Sequence, residues 1–200
     1  PFSEAYAMAY YQGRLYVGAY AFSCAVTYNG TCVYTAFQFN GTAWEAMEYG
    51  VNAYIYAFAV HSDGLLYAGG SFTVAGNKPA YRIATWDGAT WATVPHLGTS
   101  GVVYALLSHG GALYVGGDFM FDGIGNGVPA RNVARLVNGR WADLGEGLSE
   151  VVSAFAVVGN AVVAASAPGL SLWNETAGAW TDASPQLGYY YHSSPVSAVA

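Results

Sequence analysis

Cys24 and Cys32 bracket the stretch AVTYNGT and are the two cysteines of the 200-residue chain. A pair of thiols either side of a short turn-forming run, with no third to compete, predicts a disulfide and an oxidising compartment. Unlinked thiols are the plain alternative; the staple is favoured because it would close an expanded loop. Three further positions fit covalent chemistry. Asn29-Gly30-Thr31, Asn40-Gly41-Thr42 and Asn174-Glu175-Thr176 match the N-glycosylation acceptor pattern. All three fall in predicted turns, where an attached sugar reaches solvent.

Metal and ligand chemistry is thinner. In DFMFDGIGNG, Asp118, Asp122 and Asn126 offer oxygen ligands through a Gly-rich loop of the kind that holds Ca²⁺. Their spacing matches no full calcium loop, and Asp and Asn are ordinary turn residues, so no resident metal is expected. In GYYYHSS, Tyr189, Tyr190 and Tyr191 stand beside His192. That run reads as a polar-tipped aromatic surface for a sugar or a protein partner. Asp63, Asp87, Asp143 and Glu175 fall in or next to predicted turns and recur with the repeat described below, so no paired-carboxylate hydrolase site assembles from them. The expectation is a protein without catalysis and without a cofactor.

Composition narrows the classes. Charged residues are 9% of the chain, against roughly 25% in ordinary soluble domains. Six basic residues face twelve acidic ones, giving a formal charge of −6 with no basic cluster, which excludes a phosphate-tracking surface and with it nucleic acid. A surface so poor in charge needs cover, from glycan or from a neighbouring subunit. The chain opens PFSEAY without an initiator Met, which reads as a mature or trimmed chain or as part of a longer one. Residues 151–172 carry no charge, but Gly159-Asn160 and Pro168-Gly169 interrupt them, so no membrane span is expected.

These residues must be positioned by a repeat. Tyr6-Ala7-Met8, Tyr56-Ala57-Phe58, Tyr104-Ala105-Leu106, Ser153-Ala154-Phe155 and Ser197-Ala198-Val199 share one pattern, with their alanines 50, 48, 49 and 44 residues apart. After each of the first four comes a turn and a second apolar run: RLYVGAY, LLYAGGS, ALYVGGD and AVVAASA. The runs are too short and too rich in β-branched and aromatic residues for helices. A third run leads into Asn40-Gly41, Asp87-Gly88 or Asn138-Gly139, pairs that favour hairpin turns with positive φ at both central residues. Just beyond each fourth-strand turn stands a Trp, at 44, 91, 141 and 180.

Four strands on a period of 40 to 50 residues predict an all-β fold, a β-propeller of four-stranded antiparallel blades. The blades are expected at about 3–50, 51–99, 100–149 and 150–194, with 195–200 starting a further one, all within one domain that is part of a larger ring. The Gly18-Ala19, Gly69-Gly70, Gly116-Gly117 and Ala164-Ala165 pairs would let blades approach closely, and the four Trps would fill the wider space farther out. From the second-strand Tyr or Val to the Trp, the distance is 28, 24, 27 and 18 residues, so insertions gather between strands two and three. Asn40 and Asn174 then sit on one face of the disc and Asn29 on the other.

The run LYxGGxF…AG…P-A…(I/V)A…W-D-G…W resembles the extracellular repeat propellers of the kelch and galactose-oxidase group, most of all those of bacterial surface proteins and fungal cortical polarity markers. The likeness is strong in blades two and three and faint in four, and its motif residues are packing and turn residues. What it implies is a secreted or cell-surface protein with a structural or adhesive role. Copper oxidases of this group use Tyr and His ligands; here His61, His96 and His109 fall at scattered turns, and copper is not expected. The sequence therefore predicts a non-catalytic extracellular structural glycoprotein that packs against other subunits, itself included, in a surface layer, filament or flagellar appendage. The alternative is a carbohydrate-binding or adhesion module using aromatic loops. A broad spread of exposed aromatics would favour assembly, and one concave cluster a ligand site.

Overall fold

A computed structural model describes residues 2–21, 26–28, 31–33, 36–94, 100–122, 129–167 and 169–184. Every regular element among them is a β-strand. The first blade comprises β1 (Phe2–Tyr11), β2 (Arg14–Ala21), a small hairpin of β3 (Val26–Tyr28) and β4 (Thr31–Val33), then β5 (Ala36–Phe39) and β6 (Trp44–Ala46). The second comprises β7 (Ile55–Val60), β8 (Leu66–Gly70), a hairpin of β9 (Val74–Ala75) and β10 (Lys78–Pro79), then β11 (Ile83–Trp86) and β12 (Trp91–Thr93). β13 (Val102–His109), β14 (Ala112–Asp122), β15 (Pro129–Val137) and β16 (Arg140–Ala142) form the third, and β17 (Val152–Val158), β18 (Ala161–Ser166), β19 (Gly169–Asn174) and β20 (Ala179–Asp182) the fourth. Each blade is a four-stranded antiparallel meander. The first strands pack in chain order, β1 on β7, β7 on β13 and β13 on β17. The fold is a β-propeller, with these strands innermost.

The shared Tyr/Ser-Ala pattern has a structural cause. In all four blades the first strand slips register by one residue at the same place, between Ala5 and Ala7, Ile55 and Ala57, Val103 and Ala105, and Val152 and Ala154. The extra residue is Tyr6, Tyr56, Tyr104 or Ser153. A bulge bends the strand and re-aims a side chain; here it does so at each inner strand.

The glycine pairs divide their work, although both members were expected at the blade interface. Only the first of each pair faces the next blade. A Cβ on Gly18 would lie 2.7 Å from Ile55 Cβ, one on Gly69 2.5 Å from Val103 Cγ1, and one on Gly116 2.5 Å from Val152 Cγ1. The second faces its own first strand: a Cβ on Gly70 or Gly117 would overlap the carbonyl of Tyr54 or Val102. The glycines are therefore required by two separate close approaches, one across the blade interface and one across the bulge.

The hairpins also differ from expectation. Asn138 and Gly139 both have positive φ, at 50° and 71°, and form the two-residue turn the dipeptide predicts. Asn40-Gly41 and Asp87-Gly88 do not; only the glycines are positive there. Each instead opens a four-residue loop closed by the side chain. Asn40 Oδ1 accepts from the Thr42 and Ala43 amides at 2.9 Å, and Asp87 Oδ1 accepts from those of Ala89 and Thr90 at 2.8 and 2.7 Å.

Beyond these turns the aromatics pair in register across the last two strands, Phe39 with Trp44, Trp86 with Trp91 and Trp173 with Trp180, with tilted rings 5.1–5.4 Å apart between centroids. Trp91 and Trp141 are buried, while Trp44 and Trp180 are half-buried. Trp91 Nε1 donates to Met47 O and Trp180 Nε1 to Leu144 O, both at 3.0 Å, each crossing to the preceding blade. Such burial stabilises by about 1.5–3 kcal/mol per large side chain.

Candidate functional site

The antiparallel meander gives the disc two ends. The turns between the first two strands and the outer hairpins lie at one, here the turn face. The long second-to-third-strand loops and the connectors between blades lie at the other, the loop face.

The bulge tyrosines come together. Tyr6 meets Tyr54 edge-on at 5.3 Å and Tyr56 at 5.9 Å; Tyr54 and Tyr56 stack at 5.9 Å; Tyr56 meets Tyr104 at 5.3 Å. Because Tyr6, Tyr56 and Tyr104 hold equivalent positions, the ring contacts run from blade to blade along the inner strands. Ser153 takes the fourth position, its hydroxyl donating to the Ala165 carbonyl at 3.3 Å. The Tyr6 hydroxyl donates to Glu4 Oε2 at 2.5 Å. That bond, helped by partial desolvation and by the carboxylate's charge, pushes the Tyr6 phenol up to about 12. The phenol is protonated at neutral pH and carries its proton on a line to a carboxylate.

A second polar group sits at the turn face between blades 3 and 4. Arg135, on β15, makes a bidentate pair from Nη1 to both Glu175 oxygens at 2.7 and 2.9 Å. Its guanidinium lies 5.8 Å from the Trp173 ring centroid, and Trp173 Nε1 also donates to Glu175. The Arg135 and Trp173 hydrogen bonds hold the Glu175 carboxyl below the usual carboxylate range. His109, Tyr114 and Asn160 complete a cleft of about 510 Å³. The equivalents of Arg135 are Gln38 and Thr85, so this charge belongs to one interface alone among the three. Glu175 thus does more than shape a turn, while Asp63 and Asp87 keep turn roles: Asp63 accepts from the Leu65 amide and the Tyr67 hydroxyl at 3.0 and 2.8 Å.

On the loop face, Ser100, Asp118, Met120, Arg131 and Glu150 border an open cleft of about 600 Å³. Asp118 and Asp122 are not in a loop. β14 runs on to Asp122 because Met120, Phe121 and Asp122 pair with Arg131, Ala130 and Pro129 on β15. Four residues of strand put the two backbone positions about 13 Å apart, and Asn126 lies outside the described residues. No group of three metal-ligating side chains occurs among the described residues.

Of the sequons, Asn40 and Asn174 are exposed, both on the turn face. Asn40 Oδ1 also accepts from Thr42 Oγ1 at 2.9 Å, and its amide nitrogen donates to Glu45 at 2.5 Å. Asn174 Oδ1 accepts from the Ala177 amide at 2.9 Å. Asn29, Cys24, Tyr189, Tyr190, Tyr191 and His192 lie outside the described residues, as does 195–200; Cys32 is described as part of β4 by backbone alone. No helix is long and apolar enough to cross a membrane among the described residues.

Sequence reading assigns the tyrosines of the Tyr-Ala pattern no role of their own; the signal was their recurrence one residue before each paired alanine. The Arg135–Glu175 pair had no signal, being 40 residues apart with no repeat behind it.

Neither a protein-family model nor a curated protein matches the sequence. Solved structures do match the fold. Two are of the extracellular domain of BT4673 from B. thetaiotaomicron, described as a one-component or hybrid two-component system; they superpose with TM-scores of 0.61 and 0.62 at 12% identity, over 90% and 92% of this chain. A chain of the Mitotic Checkpoint Complex superposes with a TM-score of 0.57 at 15% identity, over 96% of this chain. This chain spans 22% of the BT4673 chains and 55% of the checkpoint chain. At such identities the likeness is one of fold.

Proposed function

We propose that the chain is a non-catalytic extracellular structural glycoprotein, a repeat propeller of the kelch and galactose-oxidase-like kind that works by packing its loop face against other protein subunits, copies of itself included. The observation that carries this reading is the distribution of exposed apolar side chains. Tyr49 (48% exposed), Tyr81 (58%), Met120 and Val151 put one exposed apolar side chain on the loop face in each of blades 1 to 4, while Met8, Tyr10, Val60, Val157 and Val158 are exposed along the first strands. A patch spread over several blades fits a protein partner better than a small ligand. The extracellular placement draws on Cys24 and Cys32, on the sequons at Asn29, Asn40 and Asn174, and on the BT4673 domains being extracellular. A protein-complex role draws on the propeller of the Mitotic Checkpoint Complex. The setting would be a surface layer, filament or flagellar appendage.

One observation favours a second reading. The contiguous Tyr6, Tyr54, Tyr56 and Tyr104 rings present π-faces and hydroxyls in one cluster, the equipment of a carbohydrate site. Cryo-electron microscopy of the protein isolated from its source separates the two. Ordered assemblies with the loop face buried and sugar on Asn40 or Asn174 support the first. Free rings carrying an oligosaccharide on the tyrosine cluster replace it with the second.

A further inference from the structure

We propose that Tyr6 is a site of oxidative cross-linking, joined by a carbon–carbon bond between phenol rings to the Tyr54/Tyr56 pair, so that blade 1 is stapled covalently to blade 2. This goes beyond the assembly reading and rests on it only for the place where the chain would meet the oxidant, a peroxide acting through a peroxidase.

Three features of Tyr6 coincide. Its ring is already against two acceptor rings on the next blade, at 5.3 and 5.9 Å between centroids. Its hydroxyl hydrogen points at a carboxylate oxygen 2.5 Å away, so the proton has somewhere to go as the electron leaves. It is also 41% exposed, within reach of an oxidant. The phenol is protonated at neutral pH, so its proton must be lost during oxidation, and the Glu4 carboxylate is placed to take it. Tyr67, whose hydroxyl donates to Asp63, is buried and packs on His61. Tyr49 and Tyr81 are more exposed than Tyr6; they test whether exposure alone decides.

The chemistry balances. Tyr6 loses an electron to the oxidant and its proton to Glu4, which passes it to water; a partner tyrosine loses an electron and a proton likewise. The two phenoxyl radicals couple at ring carbons ortho to oxygen, and each ortho hydrogen then shifts to restore a phenol. The protein loses two hydrogen atoms in total, and one hydrogen peroxide becomes two waters.

The test is to treat the full chain with peroxidase and limiting hydrogen peroxide, following dityrosine fluorescence and mapping the product by peptide mass spectrometry. The expected product is an uncrosslinked-size chain lighter by two hydrogens, with the peptide holding Tyr6 joined to that holding Tyr54 and Tyr56. Tyr6→Phe keeps the ring packing and should abolish that product; Glu4→Gln should slow its formation several-fold; Tyr49→Phe should leave it unchanged. Circular dichroism checks that each variant folds. A link made chiefly through Tyr49, Tyr81 or Tyr10, or a product indifferent to Tyr6→Phe, overturns the proposal. So does a Tyr6 link between two chains, although that outcome would favour the assembly reading; single rings that form the internal staple would sink assembly and leave the proposal standing.

Discussion

The forward sides of blades 1, 2 and 3, which face the next blade, are built alike, and the forward side of blade 4 is not. In the first three, Gly18, Gly69 and Gly116 admit Ile55, Val103 and Val152. Tyr16, Tyr67 and Tyr114 are buried two residues before them. Tyr11, His61 and His109, one position in the repeat, each reach across: the Tyr11 hydroxyl donates to Gly64 O at 2.7 Å, His61 Nδ1 shares a hydrogen bond with Ser108 Oγ at 3.0 Å, and His109 Nε2 donates to Asn160 O at 3.3 Å. Blade 4 carries Ala165, Val163 and Val158 at the same three positions, with Val158 64% exposed. On the other side of the comparison, blade 1 has Ala5 where blades 2 to 4 have Ile55, Val103 and Val152. The difference teaches that what repeats here is an interface rather than a blade. A sheet can keep its strands and turns while its forward side is rewritten, because the meander is held by its own ladder and the forward residues answer only to their neighbour.

The comparison can be broken most sharply at Trp91. It is fully buried and hydrogen-bonded across the blade 1–2 interface, so Trp91→Ala should cost about 4 kcal/mol in urea unfolding; Trp180→Ala, half-buried, should cost clearly less. Next, Gly116→Ala puts a methyl against Val152 and Phe155 and should cost about 2–3 kcal/mol. Pairing it with Val152→Ala removes the closest of these clashes and leaves that with Phe155, so a double-mutant cycle should return about 1 kcal/mol of that loss; strict additivity would refute the fit between the two positions. Ala165→Gly, which gives blade 4 the residue of its predecessors, should be destabilising by about 1 kcal/mol or less, the strand cost of glycine with no gain in packing. The smallest effect belongs to acid titration of Glu175. Its folded carboxyl titrates below its unfolded value, so its contribution is present above the usual carboxylate range and fades as pH falls through the lowered folded value. Comparing the acid limb of unfolding for the native chain and Glu175→Gln should show a few tenths of a kcal/mol, as expected for an exposed pair.

Much of the fold could be read from residue order because its signals are local. The Tyr/Ser-Ala pattern, the Gly after each second strand and the Trp after each hairpin mark blade positions without any knowledge of contacts. Turn type was less legible: Asn40-Gly41 and Asn138-Gly139 share a dipeptide, but the Thr42 and Ala43 amides turn Asn40 into a cap of a longer loop. The end of β14 was hidden because Gly-rich composition around Asp122 reads as loop, while pairing with β15 outweighs it. The recurrence of Tyr6, Tyr56 and Tyr104 marked them as equivalent, but their meeting needed the bulge in each first strand. Arg135 and Glu175 needed the stacking of blades 3 and 4, and Tyr54 counts as part of the cluster only once Tyr6 is folded against it.

The glycine contacts between blades carry a mechanical consequence. Each joins bare backbone on one blade to a Cβ or Cγ on the next, so no rotamer change on the glycine side can take up slack or make room. The spacing of blades 1 to 4 at these points is set by van der Waals contact between backbone and side chain. A side chain at any of these three points would push two blades apart at their inner edge, and the separation would widen toward the rim.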